Sequence, residues 1–150
     1  MEIILWRHAE AVDDLPDMER SLTGKGMKQA ERMASFLRSR IPPDTRILVS
    51  PAKRTQQTAH ALTEYFITEP AIAPNCSTSS LLKAANWPDG ENSVLIVGHQ
   101  PVLGEVAALL LCNSHVSFNV KKGAVWWLGR QTHAGEHQTY LRLVIAPDFL

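Results

Sequence analysis

The stretch Ile3-Ile4-Leu5-Trp6-Arg7-His8 constrains this chain more than any other, because an apolar run stops abruptly at an adjacent arginine and histidine. Four apolar, partly β-branched residues suit a parallel strand buried on both faces, and the charged pair after them belongs to a polar loop. In an open α/β sheet, ligands sit in the crevice beyond the carboxyl ends of the strands. Arg7 and His8 are therefore addressed to such a crevice by position alone. Two further runs end in the same style. Arg46-Ile47-Leu48-Val49 leads through Ser50-Pro51 to Arg54, and Val94-Leu95-Ile96-Val97 leads into Gly98-His99-Gln100-Pro101. Parallel strands put all three ends on one rim, so Arg7, His8, Arg54 and His99 are expected to converge.

The segments between these strands read as helices. After Thr23, a plausible N-cap, apolar residues recur at Met27, Ala30, Ala34, Leu37 and Ile41, and Pro42-Pro43-Asp44 ends the pattern. Pro51 suits a first helical turn, and Thr55, Thr58, Ala59, Leu62, Tyr65 and Phe66 continue one face. From Glu69 to Ser80 the prolines and the Ser/Thr run predict loop, with a short strand around Ala71 to Ala73. A short helix is expected over Ser79 to Ala85, a turn at Trp87-Pro88-Asp89-Gly90, and another helix from Pro101 through Val102, Leu103, Val106, Leu109 and Leu110. Ala124-Val125-Trp126-Trp127-Leu128 and Tyr140-Leu141-Arg142-Leu143-Val144-Ile145 flank a polar loop, Arg130 to Gln138, and read as a hairpin closing one sheet edge. Trp126 and Trp127, adjacent in a strand, should face opposite sides. The alternation of strands and helices predicts an α/β fold with right-handed crossovers and a mostly parallel central sheet flanked by helices in three layers.

Composition narrows the functional classes. A chain of 150 residues without repeat, low-complexity tract or linker suggests a single domain over 1–150. With 45% hydrophobic and 20% charged residues, a sizeable core is within reach and disorder is not indicated. Fifteen basic residues balance fifteen acidic ones, which argues against nucleic acid or an anionic membrane as the main partner. The two cysteines, Cys76 and Cys112, lack metal-ligand spacing and are too few for a disulfide scaffold, so a reducing cytoplasm is the expected compartment. The N-terminal apolar run is too brief for a signal segment or a membrane span, and the chain reads as complete.

The chemistry of the expected cluster is that of anion handling. Two guanidiniums offer bidentate donors matched to phosphate, while two imidazoles supply a nucleophile, a proton or a further hydrogen bond. Histidines titrate near neutrality, so both protonation states are accessible. Taken singly, each residue has a plainer reading: His8 as a strand-end residue, Arg54 on a helix surface, His99 in a hydrogen-bonded loop. His60, His115, His133 and His137 read as structural or exposed, the last two in the hairpin loop. A metal hydrolase built on His8, His99 and Glu10 is disfavoured, because Arg7 would repel the cation.

Four blocks together resemble the histidine phosphatase superfamily, and within it the short SixA-like phosphohistidine phosphatases. They are Leu5-Trp6-Arg7-His8-Ala9-Glu10, Arg20-Ser21-Leu22-Thr23-Gly24-Lys25-Gly26, Val49-Ser50-Pro51-Ala52-Lys53-Arg54-Thr55-Gln56-Gln57-Thr58-Ala59 and Val97-Gly98-His99-Gln100-Pro101, in the family's order and spacing over roughly residues 1–113. The resemblance implies a phosphoglycerate mutase-like fold and a two-step phosphoryl transfer. His8 would be the nucleophile, and Arg7, Arg54 and His99 would clamp the phosphoryl oxygens. Arg20 and Gln100 would touch substrate, and no metal or other cofactor is implied.

The chain departs from the family pattern twice. Ala9 stands where many members carry glycine after the Arg-His pair. The acid that longer relatives draw from an insertion, or from an aspartate after the second histidine, is missing, since Gln100 follows His99. Glu10, Asp13 and Asp14 are candidate donors, with solvated surface charge as the competing reading. A missing acid costs about 10²- to 10⁴-fold on an alcohol leaving group. It costs less on phosphohistidine, whose imidazole is easily protonated. The expected substrate is therefore phosphohistidine on a protein, for example a phosphotransfer domain. The alternatives are a small phosphomonoester on the same scaffold and an idle phospho-binding module that keeps the clamp.

Overall fold

The computed structural model describes residues 1–150. Strand β1 (Glu2–Arg7) occupies an interior position of a six-stranded sheet, with β2 (Arg46–Val49), β3 (Ile67–Thr68), β4 (Val94–Gly98), β5 (Val125–His133) and β6 (Glu136–Ile145) in the order β3-β2-β4-β1-β5-β6. The pairs β2–β3, β2–β4 and β1–β4 are parallel, and β5 and β6 are added antiparallel. Helices α1 (Gly24–Arg38), α2 (Lys53–His60), α3 (Thr78–Ala84) and α4 (Val102–Cys112) cover both faces. None of them is long and apolar enough to cross a membrane.

The two faces follow from the pleat of the central strands. Ile4, Trp6, Leu95 and Val97 pack with Met33, Ala34 and Leu37 of α1 and Ala59 of α2. Ile3, Leu5, Val94 and Ile96 pack with Leu81 of α3 and Val102, Leu103, Val106 and Ala107 of α4. Successive side chains of one strand thus serve opposite layers, which is why the strands read as continuous apolar runs. Trp127 lies in the first cluster and Trp126 against the second, on opposite sides as expected.

Several boundaries differ from the sequence expectation, each for a local reason. Thr23 caps α1, accepting from the Gly26 N–H, but the helix stops at Arg38 and half-buried Ile41 packs from the following turn. Helix α2 ends at His60, so Leu62, Tyr65 and Phe66 lie outside it, and Tyr65 is 90% exposed. The Thr63 hydroxyl accepts from the Tyr65 N–H there, a local bond that competes with helix. No strand forms over Ala71 to Ala73. Instead Ile67–Thr68 pairs with Leu48 and Val49, and Pro70–Ile72 is a 3-10 turn whose Ala71 N–H is taken by the Glu69 carboxylate. Residues Arg130 to Gln138 are mostly strand rather than loop. Only Ala134 and Gly135, both in the left-handed region (φ 51° and 80°), make the turn, and His133 and His137 belong to the ladder. This outer part of the hairpin is exposed on both sides, so no buried face imposed an alternation that the sequence could show.

Candidate active site

The carboxyl ends of β1, β2 and β4 are held together by backbone bonds continuing the ladder. The His8 N–H donates to the Gly98 carbonyl (3.1 Å) and the Ser50 N–H to the Val97 carbonyl (3.1 Å). On the other side, the Arg7 N–H donates to Ala124 (3.0 Å) and the His8 carbonyl accepts from Gly123 (3.0 Å). The rim is therefore part of the sheet and not a loose loop.

The polar residues of the Arg54-to-Ala59 block each fasten something to that rim. Thr55 Oγ1 donates to the Ser50 carbonyl (2.8 Å), as does Gln56 Nε2 (3.0 Å). Gln57 Oε1 accepts from the Leu22 N–H (2.7 Å). Thr58 Oγ1 accepts from the Ala9 N–H (3.1 Å) and donates to the Arg54 carbonyl (2.7 Å), tying the residue after His8 directly to α2. Gly26 is required because a Cβ there would lie 2.0 Å from the Glu10 carbonyl oxygen. Ala9 is fully buried and has no positive φ, so nothing in the backbone demands glycine at that position.

Arg7, His8, Arg54 and His99 line one cleft of about 250 Å³, together with Asp17, Arg20, Asn75, Gln100 and Lys122. His8, Arg54 and His99 are each at most 5% exposed. The two imidazole centroids are 5.4 Å apart. His8 Nδ1 lies 2.7 Å from the Ala9 carbonyl, which can only accept, so Nδ1 carries the proton and Nε2 keeps its lone pair. Burial pushes His8 down to about 4; the Ala9 hydrogen bond opposes this, and the charges of Arg54, Arg7 and Arg20 reinforce it. The ring is neutral at pH 7.

His99 has the opposite tautomer. Arg54 Nη2 approaches its Nδ1 at 3.3 Å and can only donate, so His99 carries its proton on Nε2 and offers it to Ser50 Oγ at 2.7 Å. Burial, then the neighbouring His8 and Arg54, push His99 down to about 3. Burial and the charge of Arg54 also lower Arg7. Arg7 Nη1 donates to the Val120 carbonyl (2.8 Å), but the Nε atoms of both Arg7 and Arg54 are buried without a partner. Unused guanidinium donors beside a neutral imidazole make a cradle for an oxyanion.

The sequence reading overlooked Asp17. The Arg54 guanidinium donates to its carbonyl (2.6 Å, from Nη1) and to its carboxylate (3.3 Å, from Nη2), and Arg20 Nη1 reaches the same carboxylate at 3.4 Å. Burial acts to raise the Asp17 carboxyl, but Arg54 and Arg20 outweigh it and hold the group below its usual range. Nothing in a segment reading Asp13-Asp14-Leu15-Pro16-Asp17 singles out the third aspartate. Its partner is 37 positions away.

The remaining candidates divide. Arg20 lines the cleft, held by the Val12 carbonyl (2.7 Å) and by Asp13 and Asp17. Gln100 lines it too, but its amide is engaged, Nε2 donating to Phe118 (2.8 Å) and Oε1 accepting from Gly104 (2.8 Å). Glu10 does not join the cluster. Its carboxylate accepts from Thr23 Oγ1 (2.8 Å) and faces a neighbouring depression, so it shares no site with the two imidazoles. Asp13 and Asp14 are exposed.

Comparison with known proteins gives a consistent picture. Residues 3–75 match the histidine phosphatase superfamily, branch 1. A phosphohistidine phosphatase SixA homolog of Haemophilus influenzae is 34% identical over 126 residues, covering 73% of this chain and 77% of the relative. Phosphohistidine phosphatase SixA of Escherichia coli is 30% identical over 120 residues, covering 73% and 74%. Among solved structures, the protein histidine phosphatase SixA complexed with tungstate aligns with a TM-score of 0.78 over 99% of both chains at 24% identity, a likeness of fold.

Proposed function

Because the chain belongs to the histidine phosphatase superfamily, among its SixA-like members, we propose that it is a phosphohistidine phosphatase acting on a phosphorylated protein, with His8 as the nucleophile. The observation that carries this reading is the state of His8. Its Nδ1 proton is committed to the Ala9 carbonyl, its Nε2 lone pair is free, and its ring is neutral at pH 7. In the first step Nε2 attacks phosphorus, the P–N bond to the substrate imidazole, already protonated on its other ring nitrogen, breaks, and that imidazole leaves neutral, keeping its own proton. In the second step water attacks the phosphoryl group on His8, releasing inorganic phosphate and regenerating the ring. Arg7, Arg54 and His99 would hold the phosphoryl oxygens through both steps, with stabilisation by fixed charge and position. For His99 to donate to a phosphoryl oxygen, its Nδ1 must exchange the Arg54 contact for the phosphate and take up a proton, which a dianion in the cleft favours.

Two features favour phosphohistidine over an alcohol phosphate. The cleft carboxylate, Asp17, is kept ionised by two arginines and cannot serve as a proton donor, and Glu10 faces elsewhere. A leaving imidazole, basic in its own right, needs such a donor least. The reading takes residues 1–150 as one domain, working in the cytoplasm on a phosphohistidine-bearing protein.

The test is to trap the intermediate. Brief incubation with a labelled phosphohistidine protein, quenched in base, should leave an acid-labile, base-stable label on His8, absent in His8→Ala. Release of phosphate from that protein should exceed release from a panel of sugar and nucleotide phosphates. Folded protein that binds tungstate but neither takes label nor hydrolyses substrate would reject catalysis in favour of an idle binding module. Preference for a member of the panel would reject the protein substrate.

A further inference from the structure

The phosphoryl cleft opens sideways onto a second depression of about 440 Å³, and Arg7 and Lys122 line both. A third hollow of about 180 Å³ continues it along α1, sharing Lys25, Gln29, Pro147 and Asp148 with the second. Together they form a trough bordered by Lys25, Lys28 and Arg32 of α1 on one side and by Lys121 and Lys122 on the other. These five cations are exposed, and none lies within ion-pair distance of a carboxylate. Only Glu10 and Asp148 oppose them along the trough. In a chain of zero net charge this is a marked local excess. Asp17, the one carboxylate lining the phosphoryl cleft itself, is by contrast paired with Arg54 and Arg20, and Arg20 also holds Asp13.

We infer that this trough receives an acidic stretch of the protein substrate lying to one side of its phosphohistidine. The inference rests on the phosphohistidine-protein reading above and specifies that protein's surface. Lys25, Lys28 and Arg32 stand at helical spacing over eight residues, about 10 Å of α1. That length suits an extended peptide or a helix face better than a single small anion. Apart from Ala146 and Pro147 every residue lining the two hollows carries a charged or polar group, unlike the enclosed apolar pockets that hold small molecules. Flexible, hydrated lysines attract charge at a distance and tolerate varied geometry, which fits a protein surface. The unpaired cations of the trough, set against an Asp17 side already neutralised by Arg54 and Arg20, determine the side on which that stretch lies.

The experiment compares three substrates: N-phosphoimidazole, a phosphohistidine peptide with Asp and Glu on one side, and a peptide of equal length with Asn and Gln in their place. The wild-type protein should show kcat/KM about 10-fold or more higher for the acidic peptide at low salt, a preference that fades as salt rises. The charge reversal K25E/K28E/R32E, on the exposed face of α1, should remove that preference and change N-phosphoimidazole turnover by less than about 2-fold. Lys121→Glu, on the other bank, should lower the preference independently, which guards against a folding defect in the triple variant. Turnover of both peptides at equal kcat/KM, or a preference that survives charge reversal, overturns this inference alone. Failure to turn over any of the three, in folded protein, overturns the catalytic reading and this inference with it.

Discussion

Lowering the pH from 7 to 5 should remove about 4 kcal/mol of folding stability, and the loss should trace to His8 and His99. Both imidazoles are buried and neutral in the fold, pushed down to about 4 and about 3 mainly by burial. In the unfolded chain an imidazole titrates near 6.5. Between these limits the unfolded state binds more protons than the folded one, so stability rises with pH. The loss begins as pH falls through about 6.5 and levels off only near the folded values. Integrated from pH 7 to 5, each site contributes about 2 kcal/mol. Asp17, held below its usual range, gives up its own contribution only at still lower pH and leaves the window clear. Urea unfolding followed by tryptophan fluorescence at pH 7, 6 and 5 measures the effect. In a His8→Asn/His99→Gln double variant most of the slope should vanish, since Asn can replace the Nδ1 donor to Ala9 and Gln the Nε2 donor to Ser50. Wild-type stability that is flat from pH 7 to 5 would refute the reasoning. So would a double variant that loses as much as the wild type.

Three further outcomes are expected. Arg54→Lys keeps the charge but loses the planar fork that reaches both Asp17 and His99, and should cut kcat/KM about 10- to 100-fold, measured on phosphohistidine protein with the fold checked by circular dichroism. Asp17→Asn removes a carboxylate that competes for Arg54, so tungstate should bind severalfold tighter by calorimetry; weaker binding would mean that Asp17 helps build the site. Thr58→Val leaves the buried Ala9 N–H without its acceptor and should cost about 1–3 kcal/mol in urea unfolding, with a fall in kcat larger than any change in KM.

Different parts of the molecule were legible in the sequence to different degrees. The helix cap at Thr23 and the opposite facing of Trp126 and Trp127 follow from local geometry, and both hold in the structure. The sequence points to a short third strand at Ala71 to Ala73, whereas the structure forms it at Ile67–Thr68, two exposed residues whose pairing with Leu48 and Val49 is decided by the neighbouring strand. The hairpin extends further than the sequence indicates because polar residues exposed on both faces leave no periodicity. Glu10 looked like a possible acid beside His8, yet one residue of separation in a turning chain sends it to Thr23 and the adjoining trough.

What the chain determined by itself is the address of the site. Apolar runs of strand length, two followed within two residues by a histidine and the third by a turn leading to Arg54, must end on one rim once they pair in parallel, because the backbone ladder leaves them no other arrangement. Which nitrogen of each imidazole holds its proton, and that an aspartate rests on the Arg54 guanidinium, only the tertiary structure decided. The partners of Arg54 and His99 lie 37 to 49 positions away in the chain, and a hydrogen bond's direction is set by the atom it meets in space.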